Sequence, residues 1–288
     1  MPDTIHILLP VHNRREITRR FIQCLKRQTY NNYHLILIDD GSTDGTEEMV
    51  RGEIELLTVI KGRGDWWWAG SLEQGYNWLK ARPDLLGDDV LIVNDDVEFE
   101  ADFLKIGVTL LHKYTSALLL AQCYNRDDKR INDRGVHADW LRLTFEQAAT
   151  PADINCFSTR GLFLRVADFI TIGGFYPKLI PHYLSDYEFT IRAHRKGMKL
   201  MTDPSLKVWV DAGTTGYDKI DSKTFGEWLG KYFSRKSMSN PVAWFFFILI
   251  ACPWPWKPFH LIKLCVFHVF YIPGMFFLKS VQQWLPGR

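Results

Sequence analysis

Residues 90–99 read VLIVNDDVEF, in which four apolar residues lead through an asparagine to two adjacent acids. Uninterrupted branched residues are typical of a buried parallel strand that is covered on both faces. Acids at its carboxyl end would lie at the edge of an open α/β sheet, where such sheets bind ligands. Two adjacent carboxylates repel each other unless a cation holds them, for example a divalent metal that carries a diphosphate. From these residues alone, a metal site and a solvated acidic turn are equally open.

The composition is that of a folded globular protein. With 47% hydrophobic and 24% charged residues among 288, the chain can form one large or two small domains, and disorder is not expected. Its five cysteines show no CxxC or Cys/His zinc spacing, which indicates buried thiols in a reducing compartment. The first residues lack the pattern of a signal peptide, so we expect the body of the protein in the cytoplasm.

Charge is distributed unevenly along the chain. No Asp or Glu follows Glu227, whereas seven Lys and Arg residues do, so an acidic body precedes a basic tail. Residues 241–252 are apolar, but prolines at 253–258 interrupt them before the roughly 20 residues that span a bilayer. Tryptophans and lysines without acids are typical of helices lying on an anionic membrane. The alternatives are a tail packed on the body or on a second copy of the chain, and a re-entrant hairpin.

Strands and helices are predicted to alternate in the first hundred residues. Apolar runs at 5–9 and 34–38 predict parallel strands, and a helix between them begins near 13–16. Another strand is predicted at 56–60, followed by a helix at 71–80. This order predicts an α/β sheet of Rossmann type.

Six short segments are more specific together than any one of them alone. They are LPVHNR at 9–14, IDDGSTDGT at 38–46, NDD at 94–96, GLFLR at 161–165, GGF at 173–175 and SDYEFTIR at 185–192. In order and spacing they resemble the family 2 glycosyltransferases of the GT-A fold, over roughly residues 4–215. With the tail, they point to the membrane-associated members that assemble bacterial glycans.

The resemblance implies a Rossmann-like α/β fold of the GT-A type, with a mixed, mostly parallel sheet and flanking helices. It divides the body into a nucleotide-sugar half at 1–100 and an acceptor half at 101–227. The aromatic, basic, helical tail follows at 228–288 and is expected to associate with a membrane.

The resemblance places the nucleotide-sugar donor beside three segments. Asp40 matches the acid that accepts a hydrogen bond from the imide nitrogen of uracil or thymine; alternatively, it only shapes a Gly-rich turn. Pro10 and His12 match positions that line the base and the ribose. Asp65 and Gly70 belong to a segment that lies beside the diphosphate and the sugar, where a helix N-terminus would favour an anion.

The family's metal-binding pattern is Asp, any residue, Asp, and this chain departs from it at Asn94. The resemblance implies that Asp95 binds the ribose and Asp96 a Mg²⁺ or Mn²⁺ ion, while Asn94 belongs to the same donor site. Asp211 lies near the position of a metal-binding histidine in related enzymes. It could replace that ligand, or it could be a turn acid.

The family's general base matches Asp186. The residues themselves also predict a helix start here, because Ser185 and Glu188 have the spacing of a capping box and Gly197 would end the helix. Both roles are compatible. The resemblance implies that Asp186 takes a proton from the acceptor hydroxyl in a single inverting displacement.

Two further features have open interpretations. The three adjacent tryptophans at 66–68 cannot all face one core, so at least one is expected to line a pocket or stack on a sugar or base. Arg160, beside a glycine, could line the acceptor site or be a surface residue.

Together these features predict a metal-dependent, inverting transferase. It would move a hexosyl or deoxyhexosyl group from a UDP- or dTDP-sugar to a hydroxyl of a lipid-linked glycan, as in polysaccharide or lipopolysaccharide assembly. It would lie at the cytoplasmic face of the inner membrane, peripheral or monotopic, without a nucleic-acid partner.

Two alternatives remain. A processive polysaccharide synthase would need several spanning helices and a Gln-x-x-Arg-Trp segment, which Gln282-Gln283-Trp284 does not supply. A catalytically silent membrane adaptor that binds nucleotide or glycan is kept open by Asn94 and Ser185.

Overall fold

The chain alternates between strands and helices up to residue 100, as the sequence predicts. The computed structural model describes residues 4–211 and 225–268. Eleven strands lie in these ranges: β1 (Ile5–Val11), β2 (Tyr33–Asp39), β3 (Leu57–Lys61), β4 (Asp89–Ile92), β5 (Val97–Glu98), β6 (Ala117–Asn125), β7 (Ile131–Asp133), β8 (Val136–Asp139), β9 (Thr144–Gln147), β10 (Leu162–Arg165) and β11 (Lys199–Val210). The same ranges contain nine α-helices: α1 (Arg15–Lys26), α2 (Thr46–Arg51), α3 (Trp67–Lys80), α4 (Phe103–Leu111), α5 (Val166–Ile172), α6 (Ser185–Arg195), α7 (Phe225–Tyr232), α8 (Pro241–Ala251) and α9 (Lys257–Val266).

Nine strands form one mixed sheet in the order β3-β2-β1-β4-β10-β6-β11-β5, with β7 paired to β6. The strands β3, β2, β1 and β4 are parallel. Beyond them, β10 runs antiparallel between β4 and β6, and β11 pairs parallel with β6 and antiparallel with β5. The predicted α/β class with a mixed sheet is confirmed. The antiparallel strands of this sheet are β10, β5 and β7, which run against the other six.

Helices cover both faces of the sheet. Along β1, Ile7 and Leu9 face one side and pack in a cluster with Phe21 of α1, whereas Leu8 faces the other side and packs in a cluster with Leu72 of α3. All five side chains are fully buried. Because both faces are covered, the open approach to this part of the sheet is along the carboxyl edge of its strands.

The parallel strands bring three predicted site segments to that edge. In register, Val11 of β1 lies beside Asp39 of β2, and Leu8 lies beside Ile92 of β4. The residues that follow these strands therefore leave the sheet on the same side. They include His12, Asp40 and residues 94–96.

The C-terminal helices pack on the acceptor half. Phe247 of α8 is fully buried, in a cluster that includes Ile191 of α6 and Val136 of β8. The guanidinium of Arg195 donates hydrogen bonds to the carbonyls of Ile250 and Ala251 at the end of α8. The alternative interpretation, packing on the body, thus describes one face of this segment.

Helix α9 is joined to the body through His260. Its side chain is buried, and Nε2 donates to the carbonyl of Trp140, 2.6 Å away, between β8 and β9. Other apolar side chains of the segment are exposed, among them Phe245 on α8, Trp254 between the helices and Ile262 on α9. The segment thus has both packed and exposed apolar side chains.

No helix in the described ranges is both long and apolar enough to cross a membrane. The boundary predicted between residues 227 and 228 falls within α7. Residues 269–288, including Gln282-Gln283-Trp284, lie outside the described residues.

Candidate active site

A buried carboxylate lies where the chain leaves β4. The Asp95 residue is 3% exposed, and its Oδ2 accepts a hydrogen bond of 2.9 Å from the hydroxyl of Thr18. Its Oδ1 lies 3.3 Å from Nε of Arg14, and the same guanidinium lies 3.7 Å from Asp96 Oδ2. An arginine therefore supplies a cation that the two adjacent acids require.

The sequence interpretation missed the roles of both Arg14 and Thr18. The signal was present, because residues four apart at the start of a helix lie on one face. What was missing was the knowledge that this face of α1 meets the end of β4, about 80 residues later in the chain.

Burial raises the pKa of Asp95 to about 6. The charge of Arg14 and the hydroxyl of Thr18 lower it, and the neighbouring charge of Asp96 raises it again. Both the arginine and the threonine thus favour the ionised carboxylate that the loss of water disfavours.

Asp96 has an oxygen with an unsatisfied hydrogen-bonding requirement. Its side chain is 6% exposed, and Oδ1 is buried without a hydrogen-bond partner in the described structure. A buried carboxylate oxygen without a donor is costly, and a hard divalent cation is a partner that suits it. The donor chemistry at Asp96 therefore fits the predicted metal.

The predicted third acid lies in the same place. Asp211 lines one cleft with Asp95 and Asp96, beside Trp209 of β11. Within residues 4–211 and 225–268, no three His, Cys, Asp or Glu side chains are close enough to form a metal site on their own. A metal here would need ligands from a substrate as well, and the role of Asp211 stays a prediction.

The Asp40 carboxylate holds the loop that precedes α3. Its Oδ1 accepts from the amide of Gly64 at 2.8 Å, and its Oδ2 accepts from the amides of Trp66 at 2.8 Å and Trp67 at 3.2 Å. A carboxylate here satisfies free amides at the start of α3 and complements the helix dipole. Asp40 therefore has a structural role at the loop before α3 and not within the Gly-rich turn considered for it, and its contact with a base stays a prediction.

Two glycines allow the loops to approach this closely. A Cβ on Gly62 would lie 2.4 Å from Asp40 Oδ1, and a Cβ on Gly41 would lie 2.8 Å from the Gly64 nitrogen. Gly41 also has φ +75°, which a side chain rarely adopts. The Gly-rich turn after β2 is therefore required for Asp40 to reach its amides.

Helix α3 begins at Trp67 and not at Ser71, which corrects the anion site predicted there. Gly70 lies in the first turn, where it is buried and its amide donates to the carbonyl of Trp66 at 3.0 Å. That amide is unavailable to an anion, and the Asp40 carboxylate already occupies the helix start. The side chain of Asp65 is exposed in the preceding loop.

The three tryptophans diverge, as expected. Trp66 and Trp68 pack against the core, and Trp68 Nε1 donates to the hydroxyl of Thr159 at 3.2 Å. Trp67 has φ +57°, and its ring centroid is 6.0 Å from that of His182. A tryptophan in the left-handed region is strained, and such strain is concentrated at functional sites.

Pro10 and His12 lie at the end of β1. The strand continues through Pro10 to Val11, two residues further than predicted. His12 is exposed, and its Nδ1 donates to the backbone carbonyl of Asp40 at 2.6 Å. The histidine is thus fixed beside the loop where the base is predicted to bind.

Asp186 lies in the first turn of α6, at a start that differs from the predicted capping box. The N-cap is Leu184, with φ +71° and no side-chain cap. The Ser185 hydroxyl donates to the carbonyl of His182, and Glu188 pairs with Arg192 at 2.8 Å. The capping box is therefore wrong, because each of its side chains has another partner, whereas the predicted stop at Gly197 is confirmed by φ +85°.

Burial raises the pKa of Asp186 to about 6. The amide of Tyr187, which donates to Asp186 Oδ1 at 3.0 Å, lowers it; the charge of Asp133 raises it, and that of Arg160 lowers it. A carboxylate with this pKa accepts protons better than an exposed one and is still largely ionised at neutral pH.

Comparison with known proteins supports the fold. The family model described as glycosyl transferase family 2 matches residues 6–171. The comparison with curated sequences gives no significant match. Among solved structures, mannosyltransferase PcManGT from Pyrobaculum calidifontis, in complex with GDP-Man and Mn²⁺, is 17% identical with a TM-score of 0.58, over 93% of this chain and 70% of that one.

S. aureus TarS is a second neighbour. Its fragment 1–349 in complex with UDP-GlcNAc is 15% identical with a TM-score of 0.59, over 87% of this chain and 82% of that fragment. The match to a longer TarS chain covers 50% of that chain. At these identities the similarity shows the fold alone.

The raised pKa of Asp186 makes a prediction about stability. The folded-state pKa, about 6, exceeds the ordinary value of 3.8, so protonation favours the folded state. This contribution is fully present below the ordinary pKa and is lost as pH rises through about 6. Asp186→Asn, which cannot ionise, should raise the free energy of unfolding by roughly 3 kcal/mol at about pH 7.5 and by roughly 1 kcal/mol near pH 4.5, which already lies above the ordinary pKa.

Urea unfolding at the two pH values measures the difference. Asp84→Asn, at an exposed residue, is the control and should stay within about 0.5 kcal/mol of the parent at both. An Asp186→Asn variant that is less stable at about pH 7.5 than at pH 4.5, relative to the parent, would contradict the expected destabilisation by the ionised form.

Proposed function

Because the chain belongs to glycosyl transferase family 2, we propose that it transfers a sugar from a UDP- or dTDP-sugar to a hydroxyl of a lipid-linked glycan, with inversion. The observation that carries this proposal is the buried acidic pair at the end of β4, on the same sheet edge as the Asp40 loop. Neighbours of the same fold are solved with UDP-GlcNAc and with GDP-Man, which supports a nucleotide-sugar as the donor class.

Asp40 retains capacity for a base. An ionised carboxylate has about four lone-pair sites, and the amides of the α3 loop use three of them. The remaining site suits the imide N–H of uracil or thymine. His12, fixed beside this carboxylate, and Pro10 would line the base and ribose, and Asp95 would accept from a ribose hydroxyl.

The chemical step is a single displacement. The acceptor oxygen forms a bond to the anomeric carbon while the bond from that carbon to the phosphate oxygen breaks, and its electron pair leaves with the diphosphate. Asp186 receives the proton of the acceptor hydroxyl. Its burial keeps the carboxylate basic, and the first turn of α6 holds it in place.

A divalent cation, Mg²⁺ or Mn²⁺, fits the donor site. Asp96, with its unpartnered buried oxygen, would hold it, and Asp211 lines the same cleft. When bound, such a cation neutralises charge on the diphosphate as the glycosidic bond breaks.

The C-terminal segment would bring the site to a membrane surface. Trp254 is 78% and Ile262 64% exposed, Lys257 and Lys263 lie in the same segment, and no acid follows Glu227 in the chain. An apolar surface flanked by cations matches the interface of an anionic bilayer. We place the protein at the cytoplasmic face of the inner membrane, where a lipid-linked acceptor would lie.

Transfer tests the assignment of Asp186. With radiolabelled UDP- and dTDP-sugars, Asp186→Asn should lower the rate by roughly 100- to 10,000-fold and leave donor affinity nearly unchanged, because the base contacts the acceptor. The parent rate should increase with pH through about 6. Asp84→Asn is the matched control; retained turnover in Asp186→Asn would remove it as the base, and donor binding without transfer by the parent would favour the silent adaptor.

Chelation tests the metal. EDTA should stop transfer, and Mn²⁺ or Mg²⁺ should restore it. In a thermal-shift assay, Mn²⁺ should strengthen the stabilisation by UDP in the parent and much less in Asp96→Asn, since that variant loses the charged oxygen. Full activity after exhaustive chelation would overturn the metal assignment.

Vesicle sedimentation tests the membrane surface. The protein should bind vesicles containing phosphatidylglycerol, more weakly at high salt, and the double variant Trp254→Ala, Ile262→Ser should lose most of this binding. Leu56→Ser changes an exposed leucine beside the edge strand β3, outside the C-terminal segment, and should not lose vesicle binding. Equal binding by parent and double variant would contradict the proposed surface.

A further inference from the structure

The loop before β10 joins the helix of the proposed base to the end of β4. The Thr190 hydroxyl, on α6, lies 3.0 Å from both the amide and the carbonyl of Phe157 and also 3.0 Å from the carbonyl of Asp186. Four residues later, the amide of Gly161 donates to the carbonyl of Ile92, the last residue of β4. Residues 158–160 therefore lie between α6, which carries Asp186, and the end of β4, which leads to Asp95 and Asp96.

Arg160 is one of these residues, and it is mostly buried. In the described structure its Nη1 lies 4.0 Å from the sulfur of Cys123, and no acid in residues 4–211 or 225–268 forms a close ion pair with it. A guanidinium carries several N–H donors in a planar fork, and a thiol sulfur is a poor acceptor for them. Among the described residues, the hydrogen-bond acceptor of this mostly buried guanidinium is thus a weak one.

The nearest acids act on Arg160 through their charge. Burial lowers the pKa of its guanidinium, but Asp96, the Cys123 sulfur and then Asp133 together more than offset this effect and raise it. The carboxylate of Asp133 has two other donors: its Oδ1 accepts from the Gly135 amide at 2.9 Å and its Oδ2 from the Ser158 hydroxyl at 2.6 Å. Neither acid satisfies the guanidinium.

Arg160 also lies within electrostatic reach of Asp186. Its positive charge thus acts both on Asp96 and on the proposed base. In the displacement proposed above, the bond that breaks lies between the cation-binding side and the base. The group that carries negative charge at this point is the leaving diphosphate.

We propose that Arg160 contacts the sugar-linked phosphate of the donor and stabilises it as the leaving group. A planar guanidinium can donate two parallel hydrogen bonds to phosphate oxygens, which are stronger acceptors than the thiol sulfur that it meets among the described residues. As the bond to the anomeric carbon breaks, the electron pair remains on the phosphate oxygen, and Arg160 faces that growing charge. This inference rests on the proposed function and adds a residue to it.

The test compares nucleotides that differ by this phosphate. By isothermal titration with Mn²⁺ present, Arg160→Gln should weaken UDP binding roughly 10- to 100-fold and UMP binding less than about threefold, because UMP lacks the second phosphate. Arg160→Lys should recover part of the UDP affinity, as a point charge without the fork. The matched control is Arg130→Gln, since the Arg130 side chain is 85% exposed; dTDP and dTMP replace the uridine pair if they bind more tightly.

The outcomes separate the two proposals. Equal losses of UDP and UMP affinity, or none, in folded Arg160→Gln and Arg160→Lys would overturn the role of Arg160 and leave the transferase intact. If the parent bound none of these nucleotides, the proposed function would fall and this role with it. Thermal unfolding of each variant checks the fold.

Discussion

The buried carboxylate of Asp95 constrains the donor side of the site. Removing it from water is unfavourable for its charged form, and Arg14 and Thr18 reduce that cost by reaching it from the first turn of α1. The contact therefore joins the first helix to the fourth strand of the sheet. It also orients Asp96, whose second oxygen lies near the same guanidinium while the first is left without a partner.

The Asp40 carboxylate makes a comparable connection on the neighbouring strand. It binds three amides of a loop about 25 residues later and thereby determines where α3 begins. The loop before α3 is therefore held at the edge of the sheet by three hydrogen bonds. Because α3 begins at Trp67, the amide of Gly70 is not available as the anion site expected there. The strained Trp67 lies beside His182, close to the start of the helix that carries Asp186.

The C-terminal segment packs against α6, the helix that carries Asp186. Helix α8 packs on α6 through Phe247, and Arg195 at the end of α6 caps the last carbonyls of α8. The helix that holds Asp186 is therefore supported by a segment that also carries exposed apolar side chains. The contact between α8 and α6 thus lies between the proposed base and the exposed part of the C-terminal segment.

The sequence by itself determined the order of strands and helices in the first hundred residues and the acids at the ends of those strands. Those features depend on side-chain periodicity and on turn residues within a few positions, which can be read locally. Only the tertiary structure decided that Arg14 meets Asp95, that Asp40 holds the α3 loop, that β10 is antiparallel, and that Arg160 is mostly buried. These contacts join residues that are far apart in the chain, and their partners are selected by burial and charge in the folded molecule, which no local pattern records.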